Sequence, residues 1–418
     1  MFSIITLFVF VVIFIVVGVS LVYRTTLTGD EPRYLYYSES YAAQGNFHLS
    51  FQKWKEILSL QRPKTLYKPL TDGNGSGVVL QHGGVPAHAV LLPVVLSPLS
   101  KLISSVPYGR IATLFVAIAS LTFLHYWLLS IGIGPGVAIS AIMIGGMSLP
   151  FMSYSALFLP EIWLAFAFVM GLSLSLNPST FLKIAARSVL IVVIPFIHIR
   201  GFSIAIPLSL ILLYQIMRHS QASERITRFG FVFLIFIIGG ILFIRFNVQL
   251  YGNILGSAST ARPIIDIRTI SALFSNFRHG LFVYSPVFLF GIIGLLIAAT
   301  QCNIIGYAGL LSLISIMTIS AGPDPGECPP VRFMVQAIPV LIIGLAFWIK
   351  SLRKSGVLLT VIFGASLLWT FSNSIYYFLN PSAYFKNRSN CITCDTLLGK
   401  VGLAEIINSG YHILDQNQ

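Results

Sequence analysis

The sequence predicts an all-α, polytopic membrane protein, and three observations predict it. Hydrophobic residues make up 56% of the 418 positions and charged residues only 9%. The mean hydropathy is +0.85. Uncharged stretches of near membrane-crossing length recur along most of the chain. A soluble domain normally carries about 25% charged residues, so this chain falls outside that class. The net charge of +13 is what Lys and Arg in short cytoplasmic loops contribute, with anionic lipid headgroups around them. No Lys/Arg run is long enough to call for nucleic acid, so the expected partner at this level is the lipid bilayer.

The first element, MFSIITLFVFVVIFIVVGVSLV (1–22), has no basic n-region and no small-residue cleavage pattern. It is long enough to span, so it reads as a retained transmembrane helix. The apolar stretches lie at 3–22, 86–103, 110–131, 134–152, 156–176, 187–200, 201–217, 229–247, 281–300, 304–320, 331–349 and 356–376. The 187–217 region splits at His198-Ile199-Arg200-Gly201 into two shorter helices. Three basic loops set the sidedness: Lys183 and Arg187; Arg218, Arg225 and Arg228; Lys350, Arg353 and Lys354, with only Glu224 opposing. Even numbers of stretches separate them, so all three share one side, which the positive-inside rule makes cytoplasmic.

Parity then raises a conflict. If all four stretches before the Lys183 loop cross, the 24–85 loop is cytoplasmic; if one only dips, that loop is outside. The 86–103 stretch carries Pro86, Pro93 and Pro98, which remove backbone donors and break a helix, so it is the one expected to dip. About eleven crossings follow. Residues 1–376 then form one membrane domain and 377–418 a short extracytoplasmic tail.

Within the 24–85 loop, TGDEPRYLYYSES (28–40) places two carboxylates at a helix start. Pro32 suits the first turn, Asp30 and Glu31 suit the positive end of the helix dipole, and Gly45 suits a C-cap. An amphipathic helix lying in the interface is expected there. Further external loops are 248–280 and 320–330. Of the four cysteines (Cys302, Cys328, Cys391, Cys394), the last two form a Cys-x-x-Cys with no second pair and no clustered His. A structural disulfide in an external tail is expected rather than a metal.

Ionisable groups at membrane depth cost about 2.5–3.5 kcal/mol each on insertion scales, so they are the functional candidates. Asp30 and Glu31 come first, against the plainer reading of a helix cap. Glu161, in LFLPEIWLAFAFVM, stands in an otherwise uncharged run of more than fifty residues; its plainer reading is a helix-start carboxylate. On the same face are His198 and Arg200, Arg278 and His279, and Arg332, with His82 and Arg262 as weaker candidates. Singly each is an interface anchor; together they suit a lipid phosphate, which arginine's planar fork matches.

Several segments resemble, in order, bacterial GT-C-fold glycosyltransferases that use polyprenyl-phosphate sugars. TGDEPRYL after a first transmembrane helix resembles their acidic motif, and YSALFLPEIWLAF their second one. QHGGVPAHAVLLPVVL, FIHIRGFSIAIPL, HGLFVYSPVFLFGIIGLL and GECPPVRFMVQAIPVLIIGLA resemble later signatures, over roughly residues 20 to 350. The resemblance implies a GT-C-like fold and inverting transfer of a sugar to a glycan or lipid acceptor. It makes Asp30 the catalytic base, Glu31 its acidic partner and Glu161 the second-loop acid, with Arg200 and Arg332 near the donor phosphate. A divalent cation, Mg²⁺ or Mn²⁺, is left open, with Asp30, Glu31 and Glu161 as its candidate ligands. The expected location is a bacterial inner membrane with the site facing the periplasm or exterior. One departure from the pattern is the short tail after the last helix, where many relatives carry a large domain. Two other readings stay open: a transporter or flippase, and a surface-glycan ligase or polymerase using pyrophosphate-linked donors.

Overall fold

The computed structural model describes residues 2–25, 30–47, 80–81, 85–86, 89–102, 107–174, 180–219, 222–254, 267–276, 280–301, 303–320, 331–352 and 356–381. The four cysteines, His82, Arg262, Arg278, His279 and the tail from 382 onward lie outside them. Helix dominates. The chain opens with α1 (Phe2–Arg24), then α2 (Glu31–Gln44), a two-residue antiparallel pairing of Leu80–Gln81 with Val85–Pro86, and α3 (Leu91–Leu102). Next come α4 (Tyr108–Ser130), α5 (Pro135–Gly146), α6 (Leu149–Ser155) and α7 (Pro160–Ser173). The middle holds α8 (Phe181–Ile197), a 3₁₀ turn at Ile199–Gly201, α9 (Phe202–His219) and α10 (Ala222–Tyr251). The remainder is α11 (Ile267–Ser275), α12 (Leu281–Tyr284), α13 (Val287–Thr300), α14 (Ile304–Ser320), a 3₁₀ turn at Arg332–Ala337, α15 (Ile338–Ser351) and α16 (Val357–Leu379).

Prolines start helices here more often than they interrupt them. Pro135, Pro150, Pro160 and Pro339 all sit in a first turn, where the missing N–H costs nothing. The predicted ends of α2 hold as well: Pro32 lies in its first turn and Gly45 closes it at φ 68°.

Among the described residues six helices are long and apolar enough to cross a membrane, and α5 with α6, bent by 68°, makes a seventh. Leu91–Ser100, Pro160–Ser173, Val287–Thr300 and Ile304–Ile319 are apolar but shorter. The chain is thus an all-α integral membrane protein. Its outer helices carry lipid-facing stripes, such as Phe8, Val12, Val16 and Val19 of α1 and Phe233, Ile237, Ile241 and Val248 of α10.

One contact fixes where α1 ends relative to where α4 begins. Arg110, in the first turn of α4, donates to the carbonyls of Val22 (3.0 Å) and Thr25 (2.8 Å) at the end of α1. The end of α1 and the start of α4 therefore share one end of the bundle. Between them α3 has 12 residues, about 18 Å of helix against a hydrocarbon core of about 30 Å. It packs on α2.

The innermost helix is α15, the most buried of the candidate spans together with its preceding turn. It meets α13 along a seam of glycines. A Cβ built on Gly291 would stand 2.7 Å from the Leu341 carbonyl oxygen, and one on Gly294 or Gly344 would enter the facing backbone. Small residues let membrane helices approach this closely. Phe290 and Trp348 flank the seam with centroids 4.9 Å apart, and Phe363 of α16 closes over Phe290 at 5.0 Å. The YSP segment ahead of α13 is held from α16: Trp369 Nε1 donates to the Val283 carbonyl (2.7 Å) and Asn373 Nδ2 to that of Tyr284 (3.0 Å).

We expect Gly344→Leu to cost roughly 2 kcal/mol or more through overpacking, read as a lower melting temperature in detergent. Gly364→Leu, on α16 with nothing within 4 Å of the new Cβ, serves as the control and should melt as wild type. Equal melting of both variants would refute the seam.

Candidate functional site

The turn between α1 and α2 ends in two adjacent carboxylates that go separate ways. Asp30 is the residue before α2, yet its side chain makes no capping hydrogen bond. Its Oδ1 instead accepts from Arg33 Nη1 at 3.0 Å, and its Oδ2 from Arg332 Nη2 at 2.7 Å. The plain helix-cap reading therefore does not describe it.

Glu31, expected as the acidic partner of Asp30, points into the protein. It is fully buried and meets Arg110 as a two-pronged pair, Oε1 to Nε at 2.8 Å and Oε2 to Nη2 at 2.7 Å. Its Oε1 also accepts the backbone N–H of Phe158 at 2.7 Å, from the turn before α7. Arg110 adds the Thr25 hydroxyl at 2.9 Å. Adjacent residues at a helix start point in directions about 100° apart, which separates this pair in space.

Glu161 stands in the first turn of α7, and its Oε1 accepts from Arg332 Nε at 2.7 Å. Arg332 thus lies between Asp30 and Glu161, one donor to each. Arg200 brings Nη1 to 3.7 Å from the same Glu161 oxygen, an ion pair beyond hydrogen-bond length, and stacks over the Phe333 ring at 4.0 Å. Glu161 Oε2 is buried and accepts no hydrogen bond among the described residues. A buried acceptor left bare is costly, and this one suits a hydroxyl donor from a ligand.

Two backbone features hold the arginines in place. Val331, a buried β-branched residue, adopts φ 70° just before Arg332, a left-handed conformation that costs a non-glycine residue roughly 1–2 kcal/mol. The turn bearing Arg200 is capped by His198, whose Nδ1 accepts the Arg200 N–H at 3.1 Å. The Ser203 hydroxyl donates to the Arg200 carbonyl at 2.7 Å and accepts from Gln336 Nε2 at 3.2 Å. Arg200 and Arg332 are thereby tied together from behind.

The structure brings together Asp30, Glu161, Arg200 and Arg332, with His198 supporting the Arg200 turn. Sequence reasoning missed Arg110, Arg33 and Tyr34. Tyr34 is buried on α2 with its ring 6.0 Å from that of Phe158. Burial, then the charges of Asp30 and Glu161, push its phenol well above the ordinary tyrosine range, so it stays a neutral hydroxyl beside the cluster. Its only trace in the sequence was a place on the aromatic face of α2.

A divalent cation does not fit these residues. Among the described residues no three His, Cys, Asp or Glu side chains group to hold a metal. A guanidinium separates Asp30 from Glu161, and Glu31 is taken up by Arg110. The opposite end of the bundle is basic: helix directions place Lys183, Arg218, Arg225, Arg228 and Lys350 there.

Compared with known proteins, no family model matches this chain, and no curated protein matches it either.

Replacing Arg110 with Met strands the Glu31 carboxylate in the interior and should cost about 3–5 kcal/mol. Arg110→Met combined with Glu31→Gln should recover a good part of that loss. Melting temperatures of the two singles and the double in detergent make the cycle; strictly additive losses would count against a direct pair.

Proposed function

We propose that this chain is an integral-membrane glycosyltransferase that moves a sugar from a polyprenyl-phosphate donor to a hydroxyl of a glycan or lipid acceptor, with inversion. The observation that supports this most is the Asp30–Arg332–Glu161 cluster, drawn from segments up to 302 residues apart to one end of an apolar bundle. Carboxylates and phosphate-matching guanidiniums side by side suit a reaction that removes a proton and releases a phosphate. The resemblance of TGDEPRYL and LFLPEIWLAF to GT-C enzymes points the same way.

Asp30 is the general base on this reading. Its side chain is 17% exposed, against 3% for Glu161 and none for Glu31, so an acceptor reaches it first. A donor phosphate competes with the carboxylates for the Arg332 and Arg200 guanidiniums. When Arg332 turns to the phosphate, Asp30 Oδ2 is freed for the acceptor hydroxyl. The acceptor oxygen gives its proton to Asp30 and bonds to the anomeric carbon. The bond from that carbon to the phosphate oxygen breaks, and its electron pair leaves with the lipid phosphate, which the two arginines stabilise as its charge grows. Glu161 fixes Arg332 and offers Oε2 to a substrate hydroxyl. Glu31 holds the base's backbone in place through Arg110. Arg278 and His279 belong to the phosphate-binding set of this proposal, outside the described residues.

Sidedness follows from the basic end of the bundle, which the positive-inside rule turns to the cytoplasm. The acidic cluster then faces the periplasm or exterior of a bacterial inner membrane. Eleven crossings result if α7, α8, α13 and α14 also cross and α3 does not.

The test is transfer of radiolabel from polyprenyl-phosphate sugars to acceptors in membrane lipid extracts. Asp30→Asn should cut transfer about 100-fold or more, the lower range for a general base, with its melting temperature near wild type. Equal transfer by the variant removes Asp30 as base. Counterflow of intact substrate in proteoliposomes, with no label transferred, would replace the enzyme by a transporter.

A further inference from the structure

At the basic end of the bundle, far from the acidic cluster, a cavity of about 110 Å³ opens between α9 and α14. Its floor is buried and mostly apolar: Trp127 of α4, Phe168 and Leu172 of α7, Ser312 of α14 and Ile343 of α15. Its mouth is exposed and carries Tyr214, Arg218 and Ile304. The mouth lies in the last turn of α9 and the first of α14, the depth at which lipid headgroups meet acyl chains.

Among the described residues, two polar features of this apolar surface are incompletely matched. The Trp127 indole N–H is buried and donates to nothing among the described residues, although tryptophan N–H groups usually find an acceptor when buried. Among the described residues Arg218 pairs with a neutral group alone, donating from Nη1 to the Tyr214 hydroxyl at 3.0 Å. Behind Gln215, which lines the cavity, the fully buried Arg187 is held by Gln215 Oε1 and the Leu208 carbonyl, both neutral. At this end the described carboxylate Glu224 is engaged by Arg228 at 2.6 Å. The cavity therefore combines an apolar floor, an unmet N–H donor and excess positive charge at its rim.

We infer that this cavity is a binding site for one anionic glycerophospholipid of the adjoining leaflet. Its phosphate pairs with Arg218 at the mouth, an ester carbonyl accepts the Trp127 N–H, and an acyl chain fills the floor against Phe168, Leu172 and Ile343. Charge complementarity selects the headgroup: an ammonium-bearing zwitterion would set a second cation beside Arg218 and the buried Arg187. A free phosphate meets the charge but leaves the apolar floor empty. The inference stands on this cavity alone and does not depend on glycosyl transfer.

The experiment uses the full chain, purified in detergent and stripped of lipid, then offered phosphatidylglycerol or phosphatidylcholine with the same acyl chains. Native mass spectrometry counts retained lipid, and thermal melting reports stabilisation. Wild type should retain phosphatidylglycerol about five-fold over phosphatidylcholine, the ratio expected of one basic side chain near an anionic headgroup. Arg218→Gln should bind both lipids alike. Ala308→Phe, which fills the cavity without touching a charge, should retain neither; Trp127→Phe replaces it if that variant fails to fold, with retention of both lipids lowered. Inorganic phosphate should leave the melting temperature unchanged. Equal retention of the two lipids by wild type overturns the inference. So does a phosphatidylglycerol preference that survives both Arg218→Gln and Ala308→Phe, which would assign it to the basic surface at large. Stabilisation by phosphate alone would make this a simple anion site.

Discussion

The buried ion pair between Glu31 and Arg110 is the constraint on which the acidic end of the molecule rests. Taking a carboxylate and a guanidinium out of water costs several kcal/mol per ion, and only good geometry repays it. Here both carboxylate oxygens and three guanidinium nitrogens are engaged: the end of α1 supplies further acceptors to Arg110, and the turn before α7 donates the Phe158 N–H to Glu31. Four chain segments are joined at one point. Asp30 is the next residue along, so its position is set by a contact in which it takes no part. Where Glu31 goes, the Asp30 backbone follows.

Arg332 does for the charged cluster what Arg110 does for the scaffold, with the opposite exposure. It bridges two carboxylates while Asp30 stays partly open to solvent. Asp30 has two tight cationic partners, Arg332 and Arg33, whereas Glu161 has one: Arg200 stands 3.7 Å away and Glu161 Oε2 accepts no hydrogen bond among the described residues. An arrangement this lopsided is unlike a purely structural pair such as Glu31 with Arg110, where every oxygen is used.

Much of this was legible in the sequence because its signals are local or cumulative. Low charge and high hydropathy identify a membrane protein at any register. Pro32 and Gly45 mark the ends of α2 through backbone chemistry that needs no tertiary context. Asp30, Glu161, Arg200 and Arg332 stood out because a charge within an apolar run has a high cost that something must offset. Arg110 was illegible for the converse reason. It opens an apolar stretch, where a cation reads as an ordinary flank, and its partner lies 79 residues away. Glu31 turns away from Asp30 towards Arg110, which sequence adjacency could not show because it says nothing about which side of a helix start a side chain takes. Tyr34 was hidden among the aromatic residues of α2, whose burial depends on what packs against them. The expected number of crossings rested on parity rather than on helix length, because breaks such as the one between α5 and α6 leave helices shorter than a single membrane width.

The glycine seam between α13 and α15 has a mechanical consequence. Two backbones in direct contact, with no side chains between them, have no rotamers to rearrange and no room to slide. They form a strut, and the turn that bears Arg332 is mounted on its end. The carboxylates are mounted differently: Asp30 on a turn between α1 and α2, Glu161 at the start of a 14-residue helix. Arg200 sits on a three-residue turn between two helices. Any backbone adjustment of the cluster to a bound molecule is therefore taken up by hinges around a fixed post: the Arg332 side chain can turn, but the backbone that carries it stays put.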